Sequence, residues 1–422
     1  MRSLLVPAVS LVGLFFFAAC GSEDDPQSVC CSESSSGASS GSSGGSSGTG
    51  EAGASSGGGS TSGAPTDAAA DAPVLTGTPT VTRTVWTGSL DHPWDLAFLP
   101  GTGGALLSER NGRISRLDAA GVRSDVVGPD DVRTGGEGGL LGLTIDPEFA
   151  QNRLVYTCFS HEGTPSDNRV VRWRLSDDGT RLEQRTDLVT GMPYSTGRHS
   201  GCRLRFHAGQ LYVGTGDAAR FANPQDQSSL GGKILRITRD GAAAPGNPAA
   251  EGRDPRVFTF GHRNVQGLAE QPGSDRLYSA EHGSDRDDEI NLVVPGQNYG
   301  WDPGSNGGYD ESVPMTDLAK FPTAGQAVWT SGNPTTALSG IAFLSGAAWR
   351  DWNGALVGAE LKNERLRVLR LDGAGTSSTV LGELCADQEV RLRTPVLGPD
   401  GVLYVLTDGK SGGDEIWRLT PE

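Results

Sequence analysis

One strand pattern recurs six times between residue 90 and the C-terminus, and it constrains the fold more than any other feature of the chain. Each copy is a hairpin of two aliphatic segments joined by a Pro, Gly or Asp turn, followed by a segment in which apolar and charged residues alternate. The apolar markers of the alternating segments lie 56, 64, 56, 76 and 50 residues apart, at Ile114, Val170, Ile234, Ile290, Leu366 and Ile416. Six copies of such a unit predict an all-β fold, a six-bladed β-propeller of four-stranded antiparallel blades. A β-sandwich, the alternative, does not repeat one unit six times.

The segment before the first copy fits the closure of a ring of blades. Residues 80–86 read as an extended strand and would complete the blade that the C-terminal residues form, so that no sheet edge stays open. In a propeller, the inner-strand ends and the connecting loops of several blades line one central site. We therefore expect the functional residues in loops from different blades.

The N-terminal residues predict export and a tether. An apolar run over residues 4–19 is too short for a comfortable bilayer span and ends in Phe-Ala-Ala before Cys20, so residues 1–19 are interpreted as a signal peptide. The junction resembles the lipobox of bacterial lipoproteins, which implies lipidation of Cys20; an ordinary signal peptide is the alternative. Residues 20–75 are expected to be a disordered tether, because 25 of the 32 residues at 32–63 are Ser or Gly.

These features place the protein in the bacterial cell envelope, on the periplasmic side or the outer surface. The membrane contact is expected through the N-terminal lipid only. The tether over residues 32–74 would have a root-mean-square span on the order of 35 Å. Residues 76–422 form the expected propeller domain.

Charge and cysteine content narrow the function classes. With 51 acidic and 35 basic residues the formal net charge is −16, which argues against a nucleic-acid partner. The six cysteines show no zinc-binding spacing. Three of them, Cys158, Cys202 and Cys385, belong to the propeller. Export permits a disulfide, for which Cys158 with Cys202 is the first choice, and one cysteine is then left over.

Two loops that interrupt the repeat carry candidate catalytic and binding residues. The glycine-rich residues 135–142 lack the Lys-Ser/Thr of a phosphate loop and are either a simple turn or a backbone that approaches a flat ligand, with Glu137 as the side chain that reaches it. His199 precedes an inner strand and so faces the expected central channel. A neutral imidazole there can take a proton from a bound hydroxyl. His207, in the following turn, is interpreted as structural.

An acidic loop and a set of basic residues suggest ionic ligands. Residues 281–289 hold three consecutive carboxylates after a glycine, a pattern that suits Ca²⁺ but equally a solvated acidic loop, and it is not an EF-hand. Lys362 lies near the fifth blade, and Arg391 and Arg393 lie two residues apart before the last, so the two arginines point the same way. They could bind an anionic ligand, or pair outward with Asp387 and Glu389.

Together these segments resemble the PQQ-dependent soluble aldose (glucose) dehydrogenases of the glucose/sorbosone dehydrogenase family. The resemblance covers most of residues 90–420. Its most specific stretches are Phe-Gly-His-Arg-Asn-Val-Gln-Gly at 260–267, Glu-His-Gly at 281–283, Asp-Asp-Glu-Ile-Asn at 287–291 and Gly-Gln-Asn-Tyr-Gly-Trp at 296–301.

The resemblance implies a role for each matching residue. His199 would be the general base that removes the proton of the sugar C1 hydroxyl while hydride passes to PQQ. Arg263 and Asn264 would lie against the quinone oxygens, and Glu137 occupies a cofactor-binding position. The cofactor carboxylates would be held by Lys362, Arg391 and Arg393. Calcium would be bound by main-chain oxygens at Gly283 and Ser284, with Asp288, Glu289 and Tyr299 at further positions assigned to calcium.

Two residues depart from the family pattern. The soluble glucose dehydrogenases have glutamine at the position of Glu137 and aspartate at that of Arg198. A basic residue beside His199 is expected to lower its basicity unless Glu137 compensates. Ser284 replaces a proline, which matters little because only the carbonyl is used.

The function implied is oxidation of the C1 hydroxyl of an aldose to a lactone. PQQ and Ca²⁺ would be the cofactors, and because the chain has no CxxCH haem motif, the electrons would pass to an external acceptor. A non-catalytic binding module at the cell surface and a calcium-dependent lactonase are the alternatives. The three basic residues favour PQQ over a lactonase, which needs no tricarboxylate pocket.

Overall fold

The computed structural model describes residues 28–29, 32–33, 75–305, 307–409 and 411–422. The expected signal peptide, the expected lipidation site Cys20 and most of the expected tether lie outside these ranges. Within them the fold is all-β, with one short α-helix (Phe149–Asn152) and one 3-10 helix (Ala347–Trp352). No helix in the described part of the chain is long and apolar enough to cross a bilayer.

The strands form six antiparallel sheets of four strands, so the prediction of a six-bladed propeller is confirmed. Three strands precede the first blade, namely β1 (Ser28–Val29), β2 (Ser32–Glu33) and β3 (Val81–Leu90). Blade 1 contains β4 (Pro93–Phe98), β5 (Ala105–Glu109), β6 (Ile114–Leu117) and β7 (Arg123–Val126). Blade 2 contains β8 (Leu140–Ile145), β9 (Leu154–His161), β10 (Asp167–Leu175) and β11 (Leu182–Met192). Blade 3 contains β12 (Gly201–His207), β13 (Gln210–Thr215), β14 (Lys233–Ile237) and β15 (Val257–Phe260).

The C-terminal half repeats this arrangement with one insertion. Blade 4 contains β16 (Val265–Glu270), β17 (Leu277–Glu281), β18 (Glu289–Leu292) and β21 (Trp329–Thr330), with a hairpin of β19 (Gly304–Ser305) and β20 (Gly308–Tyr309) before the last strand. Blade 5 contains β22 (Leu338–Phe343), β23 (Leu356–Glu360), β24 (Arg365–Leu371) and β25 (Ser378–Leu384). Blade 6 contains β26 (Leu392–Leu397), β27 (Leu403–Thr407) and β28 (Asp414–Pro421), and β3 is its fourth strand.

The ring is closed by the pairing of the two ends of the domain. Strand β3 lies antiparallel to β28, with Val85 opposite Trp417, as the sequence predicts. The first strands of successive blades contact one another around the whole ring, from β4 through β8, β12, β16 and β22 to β26 and back to β4. These six strands therefore surround the centre of the molecule.

The six alternating segments are the third strands of the blades and not the outermost ones. Each pairs on both sides, as β6 does with β5 and β7. The fourth strands carry no recognisable repeat, and in blade 4 the fourth strand is only the pair Trp329–Thr330. The strands β1 and β2 add a parallel fifth strand to the outer edges of blades 5 and 6, where Ser28 is opposite Glu383 and Ser32 is opposite Thr82.

Apolar residues between blades provide the core. The described residues form six buried hydrophobic clusters, and each lies between two neighbouring blades. The aliphatic hairpins of the repeat are buried on both faces for this reason. The apolar positions that recur in the sequence are thus the positions that pack between neighbouring blades.

Arg203 of blade 3 links residues of several blades at the centre of the ring. Its fully buried guanidinium pairs with Asp95 of blade 1 at 2.9 Å and stacks on Trp94. It also donates to the carbonyl of Gln266 at 2.6 Å and to the hydroxyl of Thr394 at 3.0 Å. Residues of blades 1, 3, 4 and 6 are thereby held together at the axis.

A disulfide joins Cys158 of blade 2 to Cys202 of blade 3, so the predicted pairing is confirmed. Both cysteines are buried in the cluster between these blades. The expectation that one cysteine of the propeller is left over is wrong, because Cys385 is disulfide-bonded as well. Its partner lies outside the described residues.

Candidate active site

All six blades contribute to a cavity of about 170 Å³. It lies at the face of the ring where first strands begin and second strands end, and representative lining residues of the six blades are Trp94, Glu137, Gly201, Gln266, Leu361 and Arg393. This arrangement agrees with the expectation that the site is built from loops of several blades.

Three arginines, Arg110, Arg391 and Arg393, line this cavity. The Arg393 guanidinium pairs with the buried carboxylate of Asp408, and its Nη1 donates to the side-chain oxygen of Gln266 at 3.1 Å. The Nε of Arg391 donates to the main-chain oxygen of Asp408 at 3.0 Å. Arg391 and Arg393 therefore face the cavity and do not pair outward with Asp387 or Glu389. Such fixed guanidinium groups suit a ligand with carboxylates.

Lys362 is the one basic residue of the predicted set that is not in the cavity wall. It follows the lining residue Leu361, its amide donates to the carbonyl of Thr336 at 2.9 Å, and the residue is exposed. It stands at the rim of the same face.

His199 is buried and oriented by a carboxylate. Its Nδ1 lies 2.8 Å from Oδ1 of Asp217, which follows β13 and is fully buried. No hydrogen bond to another described residue is made by Nε2, so this nitrogen is the one available to a ligand. The φ of His199 is +48°, a left-handed conformation that is rare for histidine and typical of functional loops.

The second oxygen of Asp217 is also occupied. It accepts hydrogen bonds from Nε1 of Trp301 at 2.9 Å and from the hydroxyl of Tyr309 at 2.6 Å. Burial, together with the charge of Asp217, raises the pKa of Tyr309 far above its usual range, so the phenol stays a donor. The backbone amide of Ala219 donates to the first oxygen at 2.7 Å, so four partners fix the carboxylate that faces His199.

Glu137 supports the backbone of the His199 loop. One of its oxygens accepts the amide of His199 at 3.1 Å and the side-chain amide of Asn264 at 3.0 Å. Asn264 in turn accepts the amide of Gly201 at 3.0 Å. Glu137, His199 and Asn264 are thus in direct contact, as the sequence prediction of one site requires.

Arg263 lies next to this group and has an unused donor. Its Nη1 donates to the carbonyl of His282 at 3.2 Å, and its Nη2 pairs with Glu311 at 2.9 Å. Its Nε is buried and has no hydrogen-bond partner among the described residues. An orphaned buried donor indicates a missing acceptor, which fits a residue that contacts the oxygens of a bound quinone.

Arg198 pairs with Glu311 and not with Glu137. Its guanidinium pairs with Glu311 at 2.6 Å, and more than half of the side chain is exposed. Glu311, which follows the β19–β20 hairpin, therefore bridges Arg198 and Arg263. Glu137 contacts the amide of His199 and not its ring, so the balancing acid beside Arg198 is Glu311.

The acidic loop presents main-chain oxygens. Gly283 and Ser284 are buried, and neither carbonyl accepts a hydrogen bond from a described residue. A Cβ at Gly283 would lie 2.1 Å from the carbonyl oxygen of Arg286, so only glycine fits there. Asp288 shapes this loop, because its carboxylate accepts the amide of Gly283 at 2.8 Å and both the amide and hydroxyl of Thr336. Free buried carbonyls fit a hard cation such as Ca²⁺.

Glu289 and Tyr299 lie behind the cavity wall and make other contacts. Burial and the neighbouring Glu281 raise the pKa of Glu289 to about 8, and its carboxyl group accepts from Thr316 at 2.8 Å and Asn291 at 3.2 Å. The Tyr299 hydroxyl bonds to the backbone of Leu292 and Val294. Among the described residues, no hydrogen bond or ion pair joins these two side chains to the Gly283 loop. They form a second group, distinct from the cavity.

Asp217, Tyr309 and Glu311 are the site residues that sequence reasoning missed. One signal could have found Asp217, because a buried acid lies at the end of the second strand of five blades or within two residues after it, at Glu109, Asp217, Glu281, Glu360 and Asp408. These acids bond to the loops of the cavity face, as Glu281 does with the amide of Arg263 at 2.8 Å. No equivalent signal marks Tyr309 or Glu311, which lie in an insertion.

A six-bladed propeller with a buried histidine-aspartate pair beside an arginine-lined central cavity has the make-up of an enzyme that acts on a ligand held at its axis. The family model described as Glucose / Sorbosone dehydrogenase matches residues 90–418. The chain belongs to the glucose/sorbosone dehydrogenase family, and the resemblance found in the sequence is confirmed.

Individual relatives agree with this assignment. The aldose sugar dehydrogenase YliI of Escherichia coli is 35% identical over 355 residues, which cover 81% of this chain and 93% of that protein. The crystal structure of the soluble aldose sugar dehydrogenase of Escherichia coli in its apo-form superposes with a TM-score of 0.74 at 33% identity, covering 81% of this chain and 100% of the other. The PQQ-bound form of the aldose sugar dehydrogenase of Streptomyces coelicolor gives a TM-score of 0.65 at 33% identity, covering 81% and 99%.

Proposed function

We propose that the protein is a PQQ- and calcium-dependent aldose dehydrogenase that oxidises the C1 hydroxyl of a sugar to a lactone. The observation that carries the proposal is the position of the His199–Asp217 pair beside a cavity whose wall holds three arginines. Family membership and the PQQ-bound relative support the cofactor. PQQ, when bound, supplies the quinone that accepts a hydride, and hence two electrons, from C1 of the sugar.

His199 acts as the general base. With Nδ1 held by Asp217, its proton-accepting nitrogen is Nε2, which takes the proton of the C1 hydroxyl. Asp217 stabilises the imidazolium that results, and the donors from Trp301 and Tyr309 keep the carboxylate in place. His199 thus takes one proton at Nε2, while Asp217 holds the imidazole ring in position.

The other predicted residues bind the cofactor and the metal. Arg263 and Asn264 provide donors beside His199, and Arg391, Arg393 and the rim residue Lys362 provide cations for the carboxylates. Calcium is held by the main-chain oxygens of Gly283 and Ser284, in a loop that Asp288 shapes. For Glu289 and Tyr299 we propose a separate metal contact behind the cavity, where a divalent cation would offset the buried pair of Glu281 and Glu289.

The experiment adds PQQ and Ca²⁺ to purified apoprotein and measures dye reduction with a panel of aldoses. His199→Ala should abolish turnover while PQQ remains bound, and the matched variant His207→Ala, whose ring contacts Glu270 on an outer face, should keep it. Absence of PQQ binding at micromolar concentration would refute the oxidoreductase and favour a binding module. Calcium-dependent lactone hydrolysis without PQQ would favour the lactonase.

We also propose that the protein is exported and lipidated at Cys20, and passes its electrons to an external acceptor in the cell envelope. Mass spectrometry of the mature N-terminus checks this. Cys20→Ala should release the protein from the membrane fraction, and release without any change in N-terminal mass would contradict the lipid anchor.

A further inference from the structure

Arg110 stands out among the charged residues of the cavity because no role has been assigned to it. We propose that Arg110 binds a carboxylate of the cofactor, in addition to Lys362, Arg391 and Arg393. This inference rests on the proposed function, because the ligand it assigns is PQQ.

The position of Arg110 is fixed by its backbone. It follows Glu109 at the end of β5, its amide donates to the carbonyl of His92 at 3.0 Å, and its own carbonyl accepts the amide of Leu140 at 3.2 Å. Gly139 packs directly on this carbonyl, since a Cβ there would lie 2.1 Å from the oxygen. The side chain therefore starts from a rigid point and enters the cavity wall.

The guanidinium of Arg110 has no direct partner in the described part of the chain. Among the described residues it makes no hydrogen bond and no ion pair, whereas Arg391 and Arg393 both bond to Asp408. The residue is half-buried, and burial lowers the pKa of Arg110 from its usual range. A half-buried cation that makes no direct ion pair is only partly compensated by the more distant carboxylates of Asp408, Glu137 and Asp91. Such a group in a cavity wall points to an anionic ligand that compensates it.

The neighbouring charges add a second reason. Glu137 lines the same cavity and brings negative charge that opposes a tricarboxylate ligand. Arg110 lies within Coulombic reach of Glu137. Its positive charge offsets that of Glu137, and because Asp408 offsets Arg393, the charge of Arg391 is left in excess over these acids. Arg110 thereby makes a cavity that contains Glu137 suitable for an anion.

The test titrates apoprotein with PQQ in the presence of Ca²⁺ and follows the fluorescence of the tryptophans, of which Trp94 lines the cavity. Arg110→Gln should weaken PQQ binding about 10- to 100-fold, the loss expected for one charge-assisted hydrogen bond. Arg110→Lys should bind with intermediate affinity. Arg113→Gln is the matched control, because Arg113 lies three residues away and pairs with exposed Asp125 at 3.3 Å; its PQQ affinity should equal that of the wild type.

Thermal unfolding of the apoproteins separates binding from structure. Removal of an unpaired half-buried charge should leave the melting temperature of Arg110→Gln equal to or above that of the wild type. A lower melting temperature together with weaker binding would make Arg110 a structural residue and overturn the proposal. Equal PQQ affinity of Arg110→Gln and the wild type would overturn it as well, while leaving the proposed function intact. Failure of the wild type to bind PQQ would refute both.

Discussion

Replacing Asp217 by asparagine tests the central pair of the site with little change in shape. The asparagine oxygen can still accept from Trp301 and Tyr309, so its amide group would face Nδ1 of His199, 2.8 Å away in the wild type, and the backbone amide of Ala219, which donates to the same oxygen at 2.7 Å. An amide donor there requires Nδ1 to be the acceptor, which moves the ring proton to Nε2. The nitrogen that should take the sugar proton is then already protonated.

The size of the effect follows from the lost charge pair. Asp217 and a protonated His199 have charge centres about 4 Å apart, which at an effective dielectric constant of 20 is an interaction of about 4 kcal/mol. A barrier higher by that amount slows the reaction about 10³-fold. The unfavourable tautomer adds to this, so we expect kcat to fall about 10³- to 10⁴-fold.

The assay compares kcat for dye reduction at saturating sugar with the affinity for PQQ. Asp217→Asn should lower kcat and leave PQQ affinity close to the wild-type value, while the free energy of unfolding falls by about 1–3 kcal/mol because the amide of Ala219 loses its acceptor. The matched control is Asp226→Asn, which removes a carboxylate whose side-chain hydrogen bonds are to Ser228 in an exposed turn. A kcat of Asp217→Asn within tenfold of the wild type would refute the role of Asp217, and equal losses of kcat and PQQ affinity would indicate a structural role.

Two further predictions concern stability. Replacing Cys158 and Cys202 by alanine should lower the free energy of unfolding by about 4 kcal/mol, as expected for a cross-link between residues 44 apart, and denaturant titration measures it; a change below 1 kcal/mol would contradict that contribution. Asp408→Asn should cost about 3–5 kcal/mol at pH 7, because Arg393 then stays buried without its partner. Burial alone would raise the pKa of Asp408, but Arg393 and His92 outweigh it and hold the pKa well below its usual range. The stabilisation by the Asp408–Arg393 pair is therefore present above the ordinary carboxyl pKa and is lost as the pH falls. The difference between wild type and Asp408→Asn should therefore shrink below about pH 4, and a difference that does not depend on pH would refute the pairing.

The fold could be predicted from the sequence because the contacts between blades repeat. Each hairpin of the repeat meets the same kind of neighbour, so the apolar pattern recurs around the ring. The fourth strands range in length from the pair Trp329–Thr330 to the eleven residues Leu182–Met192, many of which are exposed, so their sequences are free to differ. The closing strand β3 was the exception, because its alternation is long enough to recognise.

The candidate site was predictable where a motif is local. Glu137, His199 and Asn264 lie in glycine-flanked loops that interrupt the repeat, and they contact one another in the structure. The partners of His199 and Arg263 are distant in sequence, for example Glu311 at 48 residues from Arg263. Such contacts depend on how an inserted hairpin folds over the ring, which no local pattern encodes. For the same reason Arg198 was expected to act on His199 and instead pairs with Glu311.

Because β1 and β2 attach the N-terminal segment to the propeller, only the residues before β1 determine how far the propeller can lie from a membrane. The two strands bind the outer edges of blades 5 and 6, so the chain is already attached to the propeller at Ser28. Only seven residues lie between Cys20 and Ser28, and a fully extended chain over these eight residue steps reaches roughly 28 Å. With the lipid anchor proposed at Cys20, the Ser/Gly-rich residues that follow β2 connect two points of the same domain. Lengthening them would leave the distance between the active site and the bilayer unchanged, whereas inserting residues between 20 and 28 would increase it.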